Sequence, residues 1–240
     1  EKFDFAVFGA TGMQGKIVTR DLIENNYSVL MCGRDKSRIE HLLKKYGKKT
    51  DFEYVDLIDI KNTVKCIKKS GAKVVINCAE GDWNINCLKA CIKAGVHSID
   101  LGSDISMTRK QIGMHKTLKN HGLIHITGCG SVPGVGNVML RYANDKFDKI
   151  DTIEVGFAWD SNMKVFVVPF SIESILWEFT ANAPYLHNHK KRIVKPINSL
   201  VNCYHRAIGR GKEMNVGHHP ETYTFHRFCE KKGVRNIEFH

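Results

Sequence analysis

The 240-residue chain contains no apolar run long enough to cross a bilayer, and no secretory signal pattern stands at its first residues. Membrane association and export are therefore not expected. Its eight cysteines, at 32, 66, 78, 87, 91, 129, 203 and 229, form no CxxC pair and no framework spacing, so a disulfide-stapled scaffold is not indicated. Several lie inside apolar strand or helix patterns, where a free thiol behaves as a small hydrophobe, and they read as reduced cysteines of a cytoplasmic protein. No internal repeat or low-complexity segment interrupts the chain. A block of basic residues interleaved with aromatics is also missing. The formal net charge is +11, but the lysines are spread along the helical stretches 36–49 and 61–73. That distribution fits solvated helix faces and a site for anionic ligands better than a nucleic-acid groove, and no nucleic-acid partner is expected. Position 1 is Glu and residues 236–240 read as a strand; both features lead us to expect a longer natural chain.

What is present is an alternation of short apolar runs with longer helical patterns up to about residue 130. Strands are expected at 3–8, 28–32, 51–55, 73–78, 97–101 and 123–127. Helices are expected at 12–26, 36–46, 59–69, 83–94 and 106–120, with Gly95 as a left-handed cap. This order predicts an α/β fold, a doubly wound parallel sheet of Rossmann type over residues 1–130. Beyond Gly130 the rhythm changes. A loop at 131–136, a helix beginning near Asn137, antiparallel strands at 152–159 and 164–168, and a helix at 171–180 capped by Ser171 predict a second, α+β domain over 131–240, of substrate or dimerisation type.

The loop Gly9-Ala-Thr-Gly12-Met-Gln-Gly15 follows the first strand and opens the first helix, the context that gives a glycine pattern its meaning. Gly9 suits the tight turn, Gly12 the approach of a pyrophosphate, and Gly15 the close packing of helix on strand. With Thr11 and Met13 these residues form the expected dinucleotide cradle, where the helix N-terminus attracts phosphate. After the second strand the sequence reads Gly33-Arg34-Asp35. Gly33 leaves room and Arg34 offers a planar cation to a 2′-phosphate, which predicts NADP. The alternative is NAD, with Asp35 on the ribose and Arg34 at the surface. Asp56 is expected to fix the adenine-side loop or to cap the next helix, and Asn77 and Cys78 to pass the nicotinamide-side ribose.

Several longer stretches carry a family resemblance: Val7 to Gly15, Val75-Ile-Asn-Cys78 with the helix 87–95, Ser98-Ile-Asp100, Gly130-Ser-Val-Pro-Gly-Val-Gly-Asn-Val-Met139, residues 174–180, and His219-Pro-Glu-Thr-Tyr-Thr224. On these the chain resembles the saccharopine dehydrogenase family, which includes lysine dehydrogenases. The resemblance implies a Rossmann domain with an inserted α+β domain, to which the chain later returns, and a homodimer is the expected assembly. It also implies a small amino-acid-like substrate, hydride transfer between NADP and the carbon of a CH–NH or imine group, and a place in lysine or other amino-acid biosynthesis. The acidic residues that many members carry before the Pro-Gly turn are replaced here by Gly128 and Val132, and Glu80 precedes Gly81 where proline is common. Two further readings follow. One is a lysine or carboxylated-polyamine dehydrogenase of the same family. The other is a binding protein that senses NADP without catalysis.

For chemistry, Asp100 at the carboxyl edge of the fifth strand is a candidate acid or base, the alternative being a structural carboxylate. His219 and Glu221 are candidates for substrate contact and proton transfer, the alternative being a structural hydrogen bond. Gly134 and Arg227 are candidates for substrate binding. Lys164 and Lys195 carry no pattern that ranks them, and His187 and His189 read as surface loop residues. His218, His219, Glu221, His226 and Cys229 fall close together, but their spacing matches no standard zinc pattern, and no metal is expected.

Overall fold

A computed structural model describes residues 3–156, 164, 171–195, 200–205, 209–214 and 217–239 of the chain. Two compact units divide it, Glu1–Cys129 and Gly130–His240.

In the first unit, six strands lie in the order β3-β2-β1-β4-β5-β6. They are β1 (Phe5–Phe8), β2 (Val29–Gly33), β3 (Thr50–Tyr54), β4 (Val74–Asn77), β5 (His97–Asp100) and β6 (His125–Ile126). Every pairing is parallel, which is the order and sense of the dinucleotide-binding fold. Period-two alternation distributes the strand side chains between two layers. Ala6, Phe8, Leu30, Cys32 and Val75 point to one layer with Cys66, Ile67, Cys87 and Cys91, which come from α3 (Ile60–Ser70) and α4 (Asn84–Ala94). Val7, Val29, Met31 and Ile76 point to the other with Ile23, Ile39 and Leu42, the helices there being α1 (Met13–Glu24) and α2 (Glu40–Tyr46). All five residues of β2 are buried, as a strand covered on both faces requires. Gly95 ends α4 in the left-handed conformation at φ +77°, as its position suggests.

The boundaries differ from expectation in places. The helix expected over 106–120 is two helices, α5 (Ile105–Gly113) and α6 (His115–Asn120), with Asp104 capping the first by accepting from Met107 N at 2.6 Å. Residues 36–39 form a 3-10 turn before α2, because Asp35 accepts from Ser37 N at 3.0 Å and fixes a tight entry.

The second unit holds a four-stranded mixed sheet in the order β7-β12-β8-β9, from β7 (Thr152–Val155), β8 (Ala183–His187), β9 (Lys190–Val194) and β12 (Asn236–Phe239). A separate antiparallel hairpin joins β10 (Leu200–His205) to β11 (Gly209–Met214). Helix α9 (Glu221–Cys229) packs Phe225 and Cys229 onto Ile153, Leu186 and Ile237 of the sheet. Helix α7 (Val135–Asn144) begins two residues before the expected start, and α8 (Ile172–Thr180) is capped by Ser171, which accepts from Ser174 N at 3.1 Å. His187 ends β8, and Asn188 and His189 form the turn to β9 with φ of 48° and 61°. His187 is therefore a strand residue rather than the loop residue expected. The strand expected at 152–159 is seen over 152–155, and its remainder at 157–159, like 165–168 of the next, lies outside the described residues. Among the described residues no helix is long and apolar enough to cross a membrane, and no three His, Cys, Asp or Glu residues could together hold a metal ion.

Candidate functional site

The glycine loop leaves β1 and turns directly into α1, so its geometry follows from how closely three backbones approach. Gly9 has φ +70°, and a Cβ there would stand 2.6 Å from Ala79 N, at the end of β4. A Cβ on Gly15 would stand 2.2 Å from the Gly9 carbonyl oxygen. Side chains at either position would force strand, turn and helix apart. Gly12, the N-cap of α1, has only Gly9 O nearby, at 3.2 Å. No side chain caps this helix and no acidic residue stands in its first turn. A helix start of twelve residues, uncapped and free of carboxylates, fits a bound anion. Met13 is 44% exposed at the same end. Thr11 turns inward, its methyl 2.8 Å from where a Cβ of Gly33 would be; the loop therefore rests on the end of β2.

Arg34 follows Gly33 as an exposed residue. Asp35 beside it accepts from Ser37 N at 3.0 Å and from Ser37 Oγ at 2.6 Å, and these bonds, the hydroxyl's first, hold its carboxyl below the ordinary range. Asp35 is thus engaged in its own turn. Asp56 accepts from Ile58 N at 3.0 Å, while Asp59 caps α3 through Asn62 N, also at 3.0 Å. The capping alternative for Asp56 is corrected: the cap is Asp59, and Asp56 shapes the turn before it.

At the end of β4, Asn77 is 2% exposed. Its amide donates to Asn84 Oδ1 at 2.7 Å, and its oxygen accepts from Ala79 N at 3.2 Å. Cys78 follows, its thiol pushed up to about 12 by burial, with Asp100 adding to the shift; it is a neutral group. Asp100, 1% exposed, is the centre of a closed polar cluster. Oδ1 accepts from Gly102 N at 2.9 Å and Gly128 N at 3.0 Å, and Oδ2 accepts from Gln111 Nε2. His125 Nε2 lies 3.3 Å from Oδ2, and its Nδ1 meets Ser98 Oγ at 2.8 Å. Thr127 Oγ1 donates to Gln111 Oε1 at 2.7 Å. Burial pushes the Asp100 carboxyl up, but His125 and the two backbone N–H groups outweigh it and hold it below the ordinary 3.8. The surroundings match the structural alternative for this residue. Its side-chain partners His125, Gln111 and Thr127 were not singled out from the sequence. The available signal was a histidine on the sixth strand and a threonine just beyond it, beside a strand that ends in aspartate.

In the second unit, two segments more than eighty residues apart meet. Asn137 donates through Nδ2 to Thr224 Oγ1 at 2.9 Å and accepts through Oδ1 from Gly134 N at 3.2 Å. Gly134 has φ +133°, and a Cβ on it would stand 2.1 Å from Gly130 O, so the turn into α7 tolerates only glycine. Glu221 is fully buried and paired through Oε2 with His219 Nδ1. The His219 ring stacks on Phe239 at 4.1 Å between centroids. Oε1 of Glu221 has no hydrogen-bond partner among the described residues and faces the bare Cα of Gly136, whose Cβ would stand 3.9 Å away. The first turn of α7, positive by its dipole, therefore lies against a buried carboxylate. Arg227 is exposed on the last turn of α9. A shallow hollow of about 450 Å³ on α7, lined by Val138, Arg141, Tyr142, Asp145 and Lys146, lies on the same helix and contains none of the expected site residues.

A parallel sheet in the order 3-2-1-4-5-6, with a glycine loop opening an uncapped helix, defines the class of dinucleotide-binding α/β domains. Residues 5–126 match the family model described as the saccharopine dehydrogenase NADP-binding domain, and the chain belongs to the saccharopine dehydrogenase family. NADP is accordingly the cofactor of this domain. The chain is 26% identical to carboxyaminopropylagmatine dehydrogenase of Synechocystis sp. over 96% of its own length and 58% of that protein. It is 25% identical to a trans-acting enoyl reductase of Mycobacterium tuberculosis over 59% of its own length and 36% of that protein. The structure of apo saccharopine dehydrogenase (L-Glu forming) from Saccharomyces cerevisiae superposes with a TM-score of 0.71 at 14% identity, covering 99% of this chain and 54% of that one. The chain thus spans little more than half the length of the relatives that match nearly all of it.

Proposed function

We propose that this chain carries the cofactor-binding unit and the substrate-side residues of an NADP-dependent oxidoreductase that acts at the CH–NH or imine carbon of an amino-acid-derived substrate. The observation that carries this reading is the extent of the similarity to carboxyaminopropylagmatine dehydrogenase, 96% of the chain and so through both units. Bound NADP supplies the hydride. The glycine loop, through Gly9, Thr11, Gly12, Met13 and Gly15, holds the pyrophosphate, and Arg34 takes the 2′-phosphate. Asp56 shapes the adenine side, and Asn77 and Cys78 border the nicotinamide-side ribose. Asp100 acts as a positioning carboxylate that fixes Gly128, not as the proton donor. Glu221 and His219, with Gly134 and Arg227, belong to the substrate side. A cationic carbon–nitrogen substrate, a carboxylated polyamine or a lysine derivative, suits a buried carboxylate there. We further assign the protein to the cytoplasm, to amino-acid metabolism and to a homodimeric state.

The test is a steady-state assay of the full-length protein with NADPH and imine-forming pairs, 2-aminoadipate semialdehyde with glutamate and an aldehyde with an agmatine-type amine. Turnover on one of them is expected. Tight NADPH binding with no turnover on any pair would instead support a cofactor-sensing protein, a reading favoured by how completely Asp100 is enclosed. Arg34→Ala is expected to weaken NADPH binding about 10- to 100-fold, as loss of a charge-assisted phosphate contact does, and to leave NADH binding nearly unchanged. Equal losses for both would remove Arg34 from the 2′-phosphate.

A further inference from the structure

Beneath the glycine loop lies a set of thiols that the proposed reaction does not use. Cys32 of β2, Cys66 of α3, and Cys87 and Cys91 of α4 share one core layer, all of them buried. The sulfurs of Cys32 and Cys66 face each other at 3.8 Å. Cys87 and Cys91 belong to a single helix, so only the first of these pairs joins two elements. A disulfide needs its sulfurs at about 2.05 Å, a closure of about 1.8 Å from the present contact.

We propose that Cys32 and Cys66 form an oxidisable dithiol, a modification site at which a hydroperoxide closes a disulfide that ties α3 to β2 under the cofactor loop. Cys66 is the attacking sulfur, being 5% exposed where Cys32 is fully buried. The hydrogen bond from Cys32 holds the Cys66 thiol below its ordinary value, with Lys69 helping, while burial pushes Cys32 up. The Cys66 sulfur takes the distal oxygen of the peroxide as the O–O bond breaks, which gives a sulfenic acid and the alcohol, or water from hydrogen peroxide itself. The Cys32 sulfur then displaces the hydroxyl group, which leaves as water with the Cys32 proton. Two thiols and one hydroperoxide become one disulfide, one alcohol and one water, and two electrons pass from sulfur to oxygen.

The position gives the bond a consequence. The Cys32 carbonyl accepts from Ala10 N at 3.1 Å, inside the glycine loop. The next residue, Gly33, carries the Thr11 contact at its bare Cα. Drawing Cys32 toward α3 therefore shifts the support of the loop, and the oxidised chain is expected to bind NADPH roughly tenfold more weakly, an ordinary size for coupling between neighbouring sites. This coupling rests on the cofactor assignment of the loop; formation of the bond does not.

The experiment is a titration of the full, reduced chain with hydrogen peroxide, after NADPH affinity of the reduced form has been measured. It is read by intact mass and by mapping under non-reducing conditions. Cys129, exposed on the surface, serves as the internal measure of peroxide dose. The expected result is a loss of two hydrogen atoms and a linked Cys32–Cys66 peptide, reversed by dithiothreitol and absent from Cys66→Ala. Oxidation of Cys129 with Cys32 and Cys66 still free, or a link of either to another cysteine, overturns the site. A linked chain with unchanged NADPH affinity overturns the coupling.

Discussion

The two units bury their polar groups in different ways. In the first, hydrogen bonds between buried side chains and their partners close over short stretches: Asp100 reaches forward 28 residues to Gly128, and Asn77 only seven to Asn84. In the second, the side-chain ties span 87 residues from half-buried Asn137 to Thr224 and 85 from buried Asn144 to Cys229. The cores differ in the same sense. The first unit covers both faces of its sheet, whereas α7 and α8 of the second leave Val138, Met139, Tyr142, Ile172 and Leu176 between 58% and 71% exposed. A fold built from successive strand–helix units can dedicate its loops to a ligand, because its core does not depend on them. A fold held by ties of high sequence separation uses its motif residues as fasteners. Substitutions should therefore act mainly on binding in the first unit and mainly on stability in the second.

The most severe break is Gly15→Val. Its Cβ alone would stand 2.2 Å from Gly9 O, so the loop cannot keep its shape. NADPH binding should fall at least about 100-fold, with an overpacking cost of about 3 kcal/mol. Fluorescence titration reads the first effect. Hydrogen exchange, in which α9 should keep its protection, shows whether the damage stays in the first unit. Loss of protection in α9 would end this division of labour between the units.

Next in size is Glu221→Ala, which strands His219 and empties a fully buried site. Removing one partner of a buried pair costs about 3–5 kcal/mol, and Glu221→Gln should cost less because it keeps the volume and one acceptor. Denaturant unfolding measures both. NADPH affinity should stay at the wild-type value; a parallel loss of affinity would show that this pair serves the cofactor as well.

The alternation of apolar residues made the first unit legible. Ala6 and Phe8 against Val7 assigned two faces to one strand, and Gly9 and Gly15 were legible as turn and packing positions because each answers a local constraint. The motif residues His219, Glu221 and Gly134 were visible too, but not their relation. No periodicity announces that Asn137 will meet Thr224, since the meeting depends on a sheet in which β12 inserts between β7 and β8. The hairpins and α9 were missed for a similar reason. Lys190–Val194 is an edge strand whose polar residues Lys190, Lys191 and Arg192 mask any alternation, and α9 buries only a few side chains on a helix of nine residues. Asp100 was found by its position at a strand end, but its enclosure was not foreseen. Four of its partners come from residues 102, 111, 125 and 128, and only the fold brings these together.

Asp100→Asn sharpens that point with a smaller effect. The folded carboxyl lies below the ordinary 3.8, so ionised Asp100 stabilises the fold. That contribution is complete above the unfolded value and is lost as pH falls through the folded one. The variant should be less stable by about 2 kcal/mol at neutral pH, the size of a charged hydrogen-bond loss. The gap to wild type should close as pH is lowered below about 4. Thermal unfolding across pH 2–7 provides the check, and a gap independent of pH would mean that the charge is not what the cluster uses.

The smallest expected effect tests the long tie itself. Asn137 makes two bonds, one to the turn at Gly134 and one to Thr224, whose hydroxyl also reaches Pro220 O at 3.2 Å. Asn137→Ala and Thr224→Val should each cost about 1 kcal/mol, as the loss of a neutral hydrogen bond does. If the bond between them is what holds the segments together, the double variant should cost less than the sum by about 0.5–1 kcal/mol. Strict additivity would place the adhesion elsewhere, in the contact of Gly136 with Glu221. The second unit would then be fastened by a buried carboxylate under a helix start, with the Asn137–Thr224 bond only following it.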